Sequence, residues 1–269
     1  MIEMSHISKT FRVSKRQSGA RAAVKSFLKR EYTQVHALQD ICFRIDEGEI
    51  VGYIGPNGAG KSTSIKVMCG ILKPDGGECV VNGQTPWRNR MEYVRDIGVV
   101  FGQRSQLIWD LPAMDTFVFL KSLYRLKDAE YRQTLELLLE TLDIGDVAKT
   151  PVRQLSLGQR MKCELAASLL HNPRILFLDE PTIGLDAVSK IKVRQFIQEI
   201  NALRKVTVIL TTHDMHDIEA LTNRIILIGK GKILYDGQLD EIRKTYSQNP
   251  DVLSNIEEVI AQMYKELEI

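Results

Sequence analysis

The sequence lacks the features of several other classes of protein. It contains no apolar run of about 18 residues and no apolar signal-peptide core near residues 1–6, so we expect a chain that neither spans a membrane nor is secreted by that route. The four cysteines form no CxxC pair and have no histidines at zinc spacing, so we expect reduced thiols in a cytosolic protein. A formal charge of only +2 does not indicate nucleic-acid binding, and we expect no nucleic-acid partner.

One glycine-rich segment is present, and it carries the strongest functional signal. It follows a predicted strand at 50–54 and reads Gly55-Pro56-Asn57-Gly58-Ala59-Gly60-Lys61-Ser62-Thr63, which matches the phosphate-loop pattern GxxxxGK[ST]. Glycines let backbone N–H groups point at a polyphosphate, and the N-terminus of a predicted helix at 61–70 favours the same anion. Lys61 would bind the β- and γ-phosphates, and the Ser62 hydroxyl would ligate Mg²⁺.

The elements after this loop alternate between strands and helices. Apolar segments at 97–101, 174–180 and 206–211 are predicted strands, and helices are predicted at 189–204 and 215–221. Such alternation predicts an α/β fold with a mostly parallel sheet and with ligands at the carboxyl ends of the strands. Residues 114–172 have helical periodicity and predict a helical insert between two strands. A short strand at 2–5 begins the chain, and an amphipathic tail at 252–267 ends the pattern.

Polar side chains at three strand ends are candidates for chemistry. Asp179 and Glu180 end the strand at 174–180. Asp179 would hold Mg²⁺ through water opposite Ser62, and Glu180 would be the general base for an attacking water. Gln103 and His213 each follow an apolar strand and would reach the γ-phosphate edge of the same sheet. Taken alone, a single Gln or His at such a position is more often structural.

Positive charge is concentrated near the N-terminus. Residues 9–30 contain eight Lys or Arg and no acid. Val24, Phe27 and Leu28 have helical spacing, which predicts a short amphipathic helix at 20–31 with basic flanks. A helix of this kind would lie at an anionic lipid surface or against a membrane partner, and the alternative is a solvated basic loop.

These motifs, in this order, resemble the nucleotide-binding subunit of an ATP-binding cassette (ABC) transporter. The set comprises the loop at 55–63, Gln103, the sequence Leu155-Ser156-Leu157-Gly158-Gln159, the strand 175–180, the segment 184–186 and His213. The sequence at 155–159 is the most specific element, because other phosphate-loop ATPases lack it. It departs from the family's LSGGQ at Leu157, where the family has glycine.

The resemblance implies an α/β P-loop NTPase fold with a mostly parallel core sheet, an antiparallel β portion and a helical subdomain. It implies an ATPase domain over 1–240, with the helical subdomain at about 114–172 and a basic insert at 12–34. A helical tail would follow at 241–269.

The resemblance also implies ATP hydrolysis with Mg²⁺ and assigns roles to individual residues. Catalytic roles would go to Lys61, Gln103, Glu180 and His213, and metal ligation to Ser62, Gln103 and Asp179. Nucleotide contacts would come from Phe11, Gly55, Pro56, Asn57, Gly58, Ala59, Gly60, Lys61, Ser62 and Thr63, with Ser156, Gly158, Gln159 and Asp186 of a second subunit. Phe11 matches the aromatic that stacks on adenine, although Tyr32 returns nearby and could take its place.

The expected partners are a second copy or a paralogous ATPase subunit, stacked head to tail, and an integral-membrane permease. Residues 101–112 resemble exporters of the daunorubicin-resistance type, and the basic insert resembles the extra helix of polysaccharide and teichoic-acid exporter ATPases. We therefore expect a subunit at the cytoplasmic face of the cell membrane that drives export of a hydrophobic, drug-like or lipid- or glycan-linked substrate. The alternative is a soluble ABC-type ATPase with a regulatory role and no permease.

Overall fold

The computed structural model describes residues 1–14, 32–102, 104–246 and 256–266. The amphipathic helix predicted at 20–31, most of the basic insert and Gln103 therefore lie outside the described residues. None of the helices in the described ranges is long and apolar enough to cross a membrane.

The strands of the described residues form two sheets. They are β1 (Ile2–Ser14), β2 (Tyr32–Ile45), β3 (Ile50–Ile54), β4 (Gly76–Val81), β5 (Ile97–Phe101), β6 (Ile175–Asp179), β7 (Thr207–Thr211), β8 (Arg224–Gly229) and β9 (Lys232–Gln238). The first sheet has the order β2-β1-β4 and is antiparallel. The second has the order β5-β6-β7-β3-β8-β9 and is parallel except for the β8–β9 hairpin. The predicted fold, a mostly parallel core sheet with an antiparallel portion, is confirmed.

Helices flank the sheets and fill the segment between β5 and β6. They are α1 (Lys61–Met68), α2 (Arg90–Tyr93), α3 (Ala113–Tyr124), α4 (Asp128–Thr141), α5 (Leu157–Leu169), α6 (Ala187–Arg204), α7 (Met215–Leu221), α8 (Leu239–Tyr246) and α9 (Ile256–Glu266). Two 3₁₀ turns, Val147–Lys149 and Val152–Gln154, precede α5. The region predicted as a helical subdomain contains α3, α4 and α5.

The predicted end of the first strand is wrong. β1 runs to Ser14 rather than to residue 5, because it stays paired with β2 as far as the Ser14–Tyr32 pair. Its first half alternates, with Ile2, Met4 and Ile7 buried, whereas residues 8–10 are half-buried and residues 11–14 are exposed on both faces. The exposed end of β1 offers only Phe11 and Val13 as alternating apolar residues, which are too few to mark a strand, so periodicity alone ends the strand too early.

The parallel strands are buried on both faces, as their continuous apolar sequences predict. β6 is buried at every position before Asp179, and β7 is buried throughout. The core beneath the phosphate loop includes Tyr53 and Phe177, which are fully buried. A rigid sheet therefore ends at the edge where Asp179 and Glu180 lie.

The C-terminal helix α9 is part of this core. Ile256, Val259, Ile260 and Met263 have helical spacing and are buried in one cluster with residues of β3, α7 and β8. This amphipathic face was predicted from the sequence. Most of α8 lies within the helical tail expected at 241–269, and it packs Leu239 and Ile242 into the same cluster.

Candidate functional site

The phosphate loop joins the end of β3 to the N-terminus of α1. Gly58 has φ 81° and Gly60 has φ 116°, both in the left-handed region that favours glycine. A Cβ at Gly60 would approach the carbonyl oxygen of Ala37 to 2.6 Å, so the loop also needs glycine for space. Gly60 is the N-cap of α1, which places the positive end of that helix at the loop.

Lys61 lies inside the loop. Its Nζ donates to the carbonyl oxygens of Gly55, at 2.5 Å, and Pro56, at 3.1 Å. Burial lowers the pKa of Lys61, and the negative charges of Glu180 and Asp179 oppose that shift. These two carbonyl oxygens thus hold the Lys61 ammonium inside the loop, where it can bind a phosphate group.

Asp179 and Ser62 form an oxygen-rich corner beside the loop. The Ser62 hydroxyl lies 3.4 Å from Oδ2 of Asp179, and the Thr211 hydroxyl donates to Oδ1 at 2.6 Å. The Thr211 bond fixes the carboxylate so that Oδ2 faces Ser62. Mg²⁺ takes oxygen ligands in an octahedron of about 2.0–2.1 Å radius, in which neighbouring ligands lie about 3 Å apart, and this donor pair fits that requirement.

Glu180 follows β6 with φ 57°, an uncommon conformation for a residue other than glycine. Its N–H donates to the carbonyl oxygen of Thr211 at 2.9 Å, and Oε1 lies 2.7 Å from Nε2 of His213. The structure therefore brings together the two residues that sequence reasoning took from separate strand ends. The main chain of Glu180 is fixed by Thr211 and its carboxylate is held by His213, so the carboxylate can accept a proton from a positioned water.

A cavity of about 450 Å³ lies over the phosphate loop. Its walls include Lys61, Ser62, Thr63 and Glu180, together with residues that no sequence motif indicated: Val35, His36, Ala37, Gln39 and Lys230. The β2 residues reach the cavity because of strand register, which is a long-range property of the fold. Phe11 does not line this cavity, but it is the Cα partner of Val35 in the β1–β2 pairing.

Two further cavities adjoin the site. One of about 330 Å³ is lined by Ser62, Lys66, Phe101, Arg104 and Asp179, among others, at the end of β5. Another of about 340 Å³ separates the phosphate loop from α9 and is lined by Pro56, Asn57, His213, Ile260 and Tyr264, among others.

The segment 155–159 begins α5 and is built as a capping box. The Ser156 Oγ accepts from the Gln159 N–H at 3.2 Å, and Oε1 of Gln159 accepts from the Ser156 N–H at 2.9 Å. The Ser156 hydroxyl thereby keeps its own proton available for an acceptor outside the helix.

Gly158 connects this helix to the beginning of α6. A Cβ at Gly158 would approach the Cβ of Ser189 to 2.9 Å, closer than real side chains come. Ser189 donates to Asp186, the N-cap of α6, from its N–H at 3.0 Å and from its hydroxyl at 2.6 Å. Ser156, Gly158, Gln159 and Asp186 thus form one surface unit, and none of them lines the two cavities beside Lys61.

Leu157, the departure from LSGGQ, lies against Gly184. A Cβ at Gly184 would come within 2.9 Å of Cδ2 of Leu157, and Gly184 itself has φ 72°. The leucine side chain is therefore accommodated beside the segment 184–186 rather than displacing α5.

A buried carboxylate that the sequence reasoning missed supports the loop after Glu180. Asp217 on α7 is fully buried and accepts from Nε of Arg194 at 2.6 Å, from the Thr212 hydroxyl at 3.0 Å and from the Thr182 hydroxyl. The network ties β6, α6 and β7 to α7. Local sequence carries no signal for it, because its members lie in separate elements.

Known proteins resemble this chain over the region that holds these motifs. The model of the family described as ABC transporter matches residues 38–183. The ABC transporter ATP-binding protein NatA of Bacillus subtilis is 33% identical over 77% of this chain and 84% of its own length. The daunorubicin resistance ATP-binding protein DrrA3 of Streptomyces coeruleorubidus is 33% identical over 80% of this chain and 67% of its own length.

Solved structures have the same fold. A dimeric post-hydrolysis state of the ATP-binding cassette MJ0796, bound to ADP and Pi, aligns with a TM-score of 0.72 and 27% identity, covering 88% of this chain and 98% of that one. The ATP binding subunit of an ABC transporter aligns with a TM-score of 0.78 at 23% identity, covering 97% of this chain and 98% of that one, which shows the fold.

Proposed function

Because the chain belongs to the ABC transporter family as an ATP-binding subunit that hydrolyses ATP, we propose that two copies close head to tail around two ATP molecules and drive a membrane permease. One observation carries the head-to-tail arrangement. The unit of Ser156, Gly158 and Asp186 is fully formed yet lies outside the cavities beside Lys61. A second copy would supply it to those cavities, and a paralogous subunit would serve equally. A dimeric ABC cassette among the related structures supports the arrangement.

The nucleotide would enter the cavity over the phosphate loop. The backbone N–H groups of residues 55–63 and the N-terminus of α1 would bind its β- and γ-phosphates. Lys61 would exchange the carbonyl oxygens of Gly55 and Pro56 for phosphate oxygens, which are stronger acceptors because they are charged. The adenine would lie toward the β1–β2 hairpin, against Val35 or the proposed Phe11.

Ser62 and Asp179 would hold Mg²⁺, with Gln103 as a further proposed ligand. The metal ion, when bound, supplies positive charge that stabilises the developing charge on the phosphates. Thr211 keeps the Asp179 carboxylate turned toward Ser62, so the protein contributes a preset oxygen pair.

Glu180 would remove the proton from the attacking water. The left-handed backbone at Glu180 and its bond to Thr211 fix the main chain, and the contact with His213 orients the carboxylate. His213 would donate from Nε2 to hold that orientation and, once the dimer closes, would face the γ-phosphate. The Ser156 hydroxyl of the second copy would donate to the same phosphate.

The helical subdomain would receive the permease. Its surface exposes apolar side chains that a subunit working alone would bury: Trp109, Leu111, Val118, Phe119 and Leu123. Closure of the ATP dimer would move this surface and with it the permease. Residues 101–112 and the relative named for daunorubicin resistance support export of a hydrophobic, drug-like or lipid- or glycan-linked substrate.

The basic segment would add a contact with anionic lipid. Basic residues gain about 1 kcal/mol each near an anionic surface, and eight are present in 9–30 without an acid. Reversing the charge of Arg21, Lys25 and Lys29 should weaken binding to liposomes containing phosphatidylserine and leave ATPase activity unchanged. Unchanged liposome binding would favour the alternative interpretation, in which the segment is a solvated basic loop.

The proposal is tested by measuring whether the chain forms an ATP-dependent dimer and a complex with a membrane protein. The Glu180→Gln variant should elute as a dimer with ATP and as a monomer with ADP in light-scattering chromatography. Expression with the membrane protein encoded beside it should yield a complex whose ATPase activity depends on both subunits. An ATP-dependent dimer that hydrolyses ATP but forms no complex with the co-expressed membrane protein would favour the stand-alone regulatory ATPase.

A further inference from the structure

A histidine, an aspartate and a cysteine meet on the exposed face of the antiparallel sheet, away from the nucleotide site. His6 lies on β1, and Asp40 and Cys42 lie on β2. One possible ligand atom from each lies within 4.8 Å of the other two. We propose that these residues form a binding site for a zinc-class divalent cation, with a fourth ligand position left to water. The proposal is independent of the transport function.

Strand geometry explains how the three side chains converge. Asp40 and Cys42 are two residues apart on β2, so they share a face, while Ile41 and Phe43 point into the core. The β1–β2 register shifts between Met4 and Ile7, which places an irregularity at His6. Bulges of this kind re-aim a side chain, and here the histidine turns toward β2.

The backbone holds this arrangement in an uncommon conformation. His6 has φ 55° and Asp40 has φ 57°, and both are residues other than glycine. Gly77 on β4 makes room for the bulge, because a Cβ there would approach the carbonyl oxygen of Ser5 to 2.5 Å. Three strands thus contribute to placing these ligand atoms.

The distance between the histidine nitrogen and the cysteine sulfur matches a tetrahedral site. Zn–N and Zn–S bonds of about 2.0 and 2.3 Å separate the two ligand atoms by about 3.5 Å. His6 Nδ1 and Cys42 Sγ are 3.6 Å apart. His6 Nδ1 and Asp40 Oδ1 are 2.7 Å apart, a hydrogen bond that a metal ion would replace with a slight opening of the pair.

The environment suits a bound cation. The backbone N–H of His6 donates to Sγ of Cys42 at 3.1 Å, and a donor of this kind stabilises the sulfur when the sulfur carries negative charge. The His6 and Asp40 side chains are 77% and 74% exposed, so a metal ion reaches them from solvent and little desolvation opposes binding. A mixed nitrogen, sulfur and oxygen set favours Zn²⁺ over Mg²⁺.

The other cysteines do not compete for this role. Cys69, Cys79 and Cys163 are buried. Burial raises the pKa of Cys69 and raises the pKa of both Cys79 and Cys163 to about 12, so these thiols stay protonated. Cys42 is the exposed cysteine of the chain. A sulfur–metal signal would therefore report on this cluster.

The test is a Co²⁺ titration of the full-length, chelator-treated, nucleotide-free chain. We expect one Co²⁺ per chain with a sulfur-to-cobalt charge-transfer band, displaced by Zn²⁺. The band should disappear in Cys42→Ser, and His6→Ala should weaken binding at least about tenfold, since even indirect partners of a metal site contribute that much. His216→Ala, which removes an exposed histidine elsewhere, is the matched control and should bind as the wild type does.

Alkylation gives a second reading that needs no variant. Zn²⁺ should slow iodoacetamide labelling of Cys42 in the wild-type chain, and Mg²⁺ should not. Absence of the band, or labelling that Zn²⁺ leaves unchanged, would overturn the site. A band that survives His6→Ala at wild-type affinity would reduce the cluster to a lone reactive thiol and also overturn it.

Discussion

Oε1 of Glu180 lies 2.7 Å from Nε2 of His213, so the residue that follows β6 contacts a residue just beyond the end of β7. Glu180 is also bound to β7 itself, because its N–H donates to the carbonyl oxygen of Thr211. The proposed base is therefore positioned by the strand next to its own. The first two predictions follow from this relationship.

Glu180→Gln should retain ATP binding and lose turnover by about 100-fold or more, the usual contribution of a general base. The amide keeps the shape and the contact with His213 but cannot take a proton from water. Steady-state phosphate release and binding of a fluorescent ATP analogue measure the two properties. Glu47→Gln, an exposed acid in the turn before β3, should behave as wild type; full hydrolysis by Glu180→Gln would refute the base assignment.

His213→Ala should lower the hydrolysis rate by less than Glu180→Gln does, by about 10- to 100-fold, because it removes orientation rather than the base. ATP affinity should change little. His216→Ala is the matched control, three residues away, with its imidazole exposed to solvent. If His213→Ala is as active as the control, the contact with Glu180 has no role in catalysis.

Gly158→Ala should lower ATPase activity by about 100-fold, the effect of a displacement of about 1 Å in a catalytic group. The added Cβ would meet Ser189, which cannot turn away because its hydroxyl is bonded to Asp186. Gly145→Ala is the control, since a Cβ there meets nothing within 4 Å. ATP binding by the single subunit should survive in both variants, and equal activity would show that the surface unit tolerates displacement.

His171 should make the protein less stable in acid. Nε2 donates to the Ile97 carbonyl at 2.8 Å, the ring stacks on Tyr124, and Nδ1 is buried without a partner. Burial lowers the pKa of His171 to about 4 from 6.5, so between these values the unfolded chain binds more protons. Stability is fully present above pH 6.5 and falls as the pH drops toward 4, by about 2 kcal/mol between pH 7 and 5.

Urea unfolding at pH 7 and pH 5 measures this slope. His171→Gln keeps a donor for Ile97 but does not titrate, so its slope should be shallower than that of the wild type. His216→Gln should retain the wild-type slope. Identical slopes in all three proteins would assign the acid sensitivity to other groups.

Arg194→Leu should destabilise the fold by about 3–5 kcal/mol, because it leaves the Asp217 carboxylate buried without its cation. Lys192→Leu, on the same helix, removes a cation whose nearest acid is 3.9 Å away and should cost less than about 0.5 kcal/mol. The Arg194→Leu, Asp217→Leu double variant should recover part of the loss. Chemical denaturation of the wild type, Arg194→Leu, Asp217→Leu and the double variant completes the double-mutant cycle, with Lys192→Leu as the control.

Local motifs were predictable because their chemistry lies in consecutive residues. The loop at 55–63 carries its own glycines and its own cation, and Asp179 and Glu180 lie directly at a strand end. These patterns are independent of the rest of the chain. The capping box from Ser156 to Gln159 is local in the same way.

The remaining features depend on register between distant elements. Val35 and His36 reach the nucleotide cavity only through the position of β2 over the loop. His6 meets Cys42 only because β1 shifts register. The periodicity of a single segment cannot predict such contacts, because each contact depends on the register in which two distant strands pair.

The cavity between the phosphate loop and α9 places the C-terminal helix next to the loop that would bind ATP, so the docking of the helix and the affinity for ATP can be coupled. Pro56, Asn57 and His213 form one wall, and Ile260 and Tyr264 of the helix form another. Linkage is reciprocal, so any factor by which ATP tightens the docking of this helix is the factor by which the docked helix tightens ATP. A ligand that binds α9 and undocks it would therefore change the affinity for ATP by that same factor, as an allosteric effector that does not contact the nucleotide.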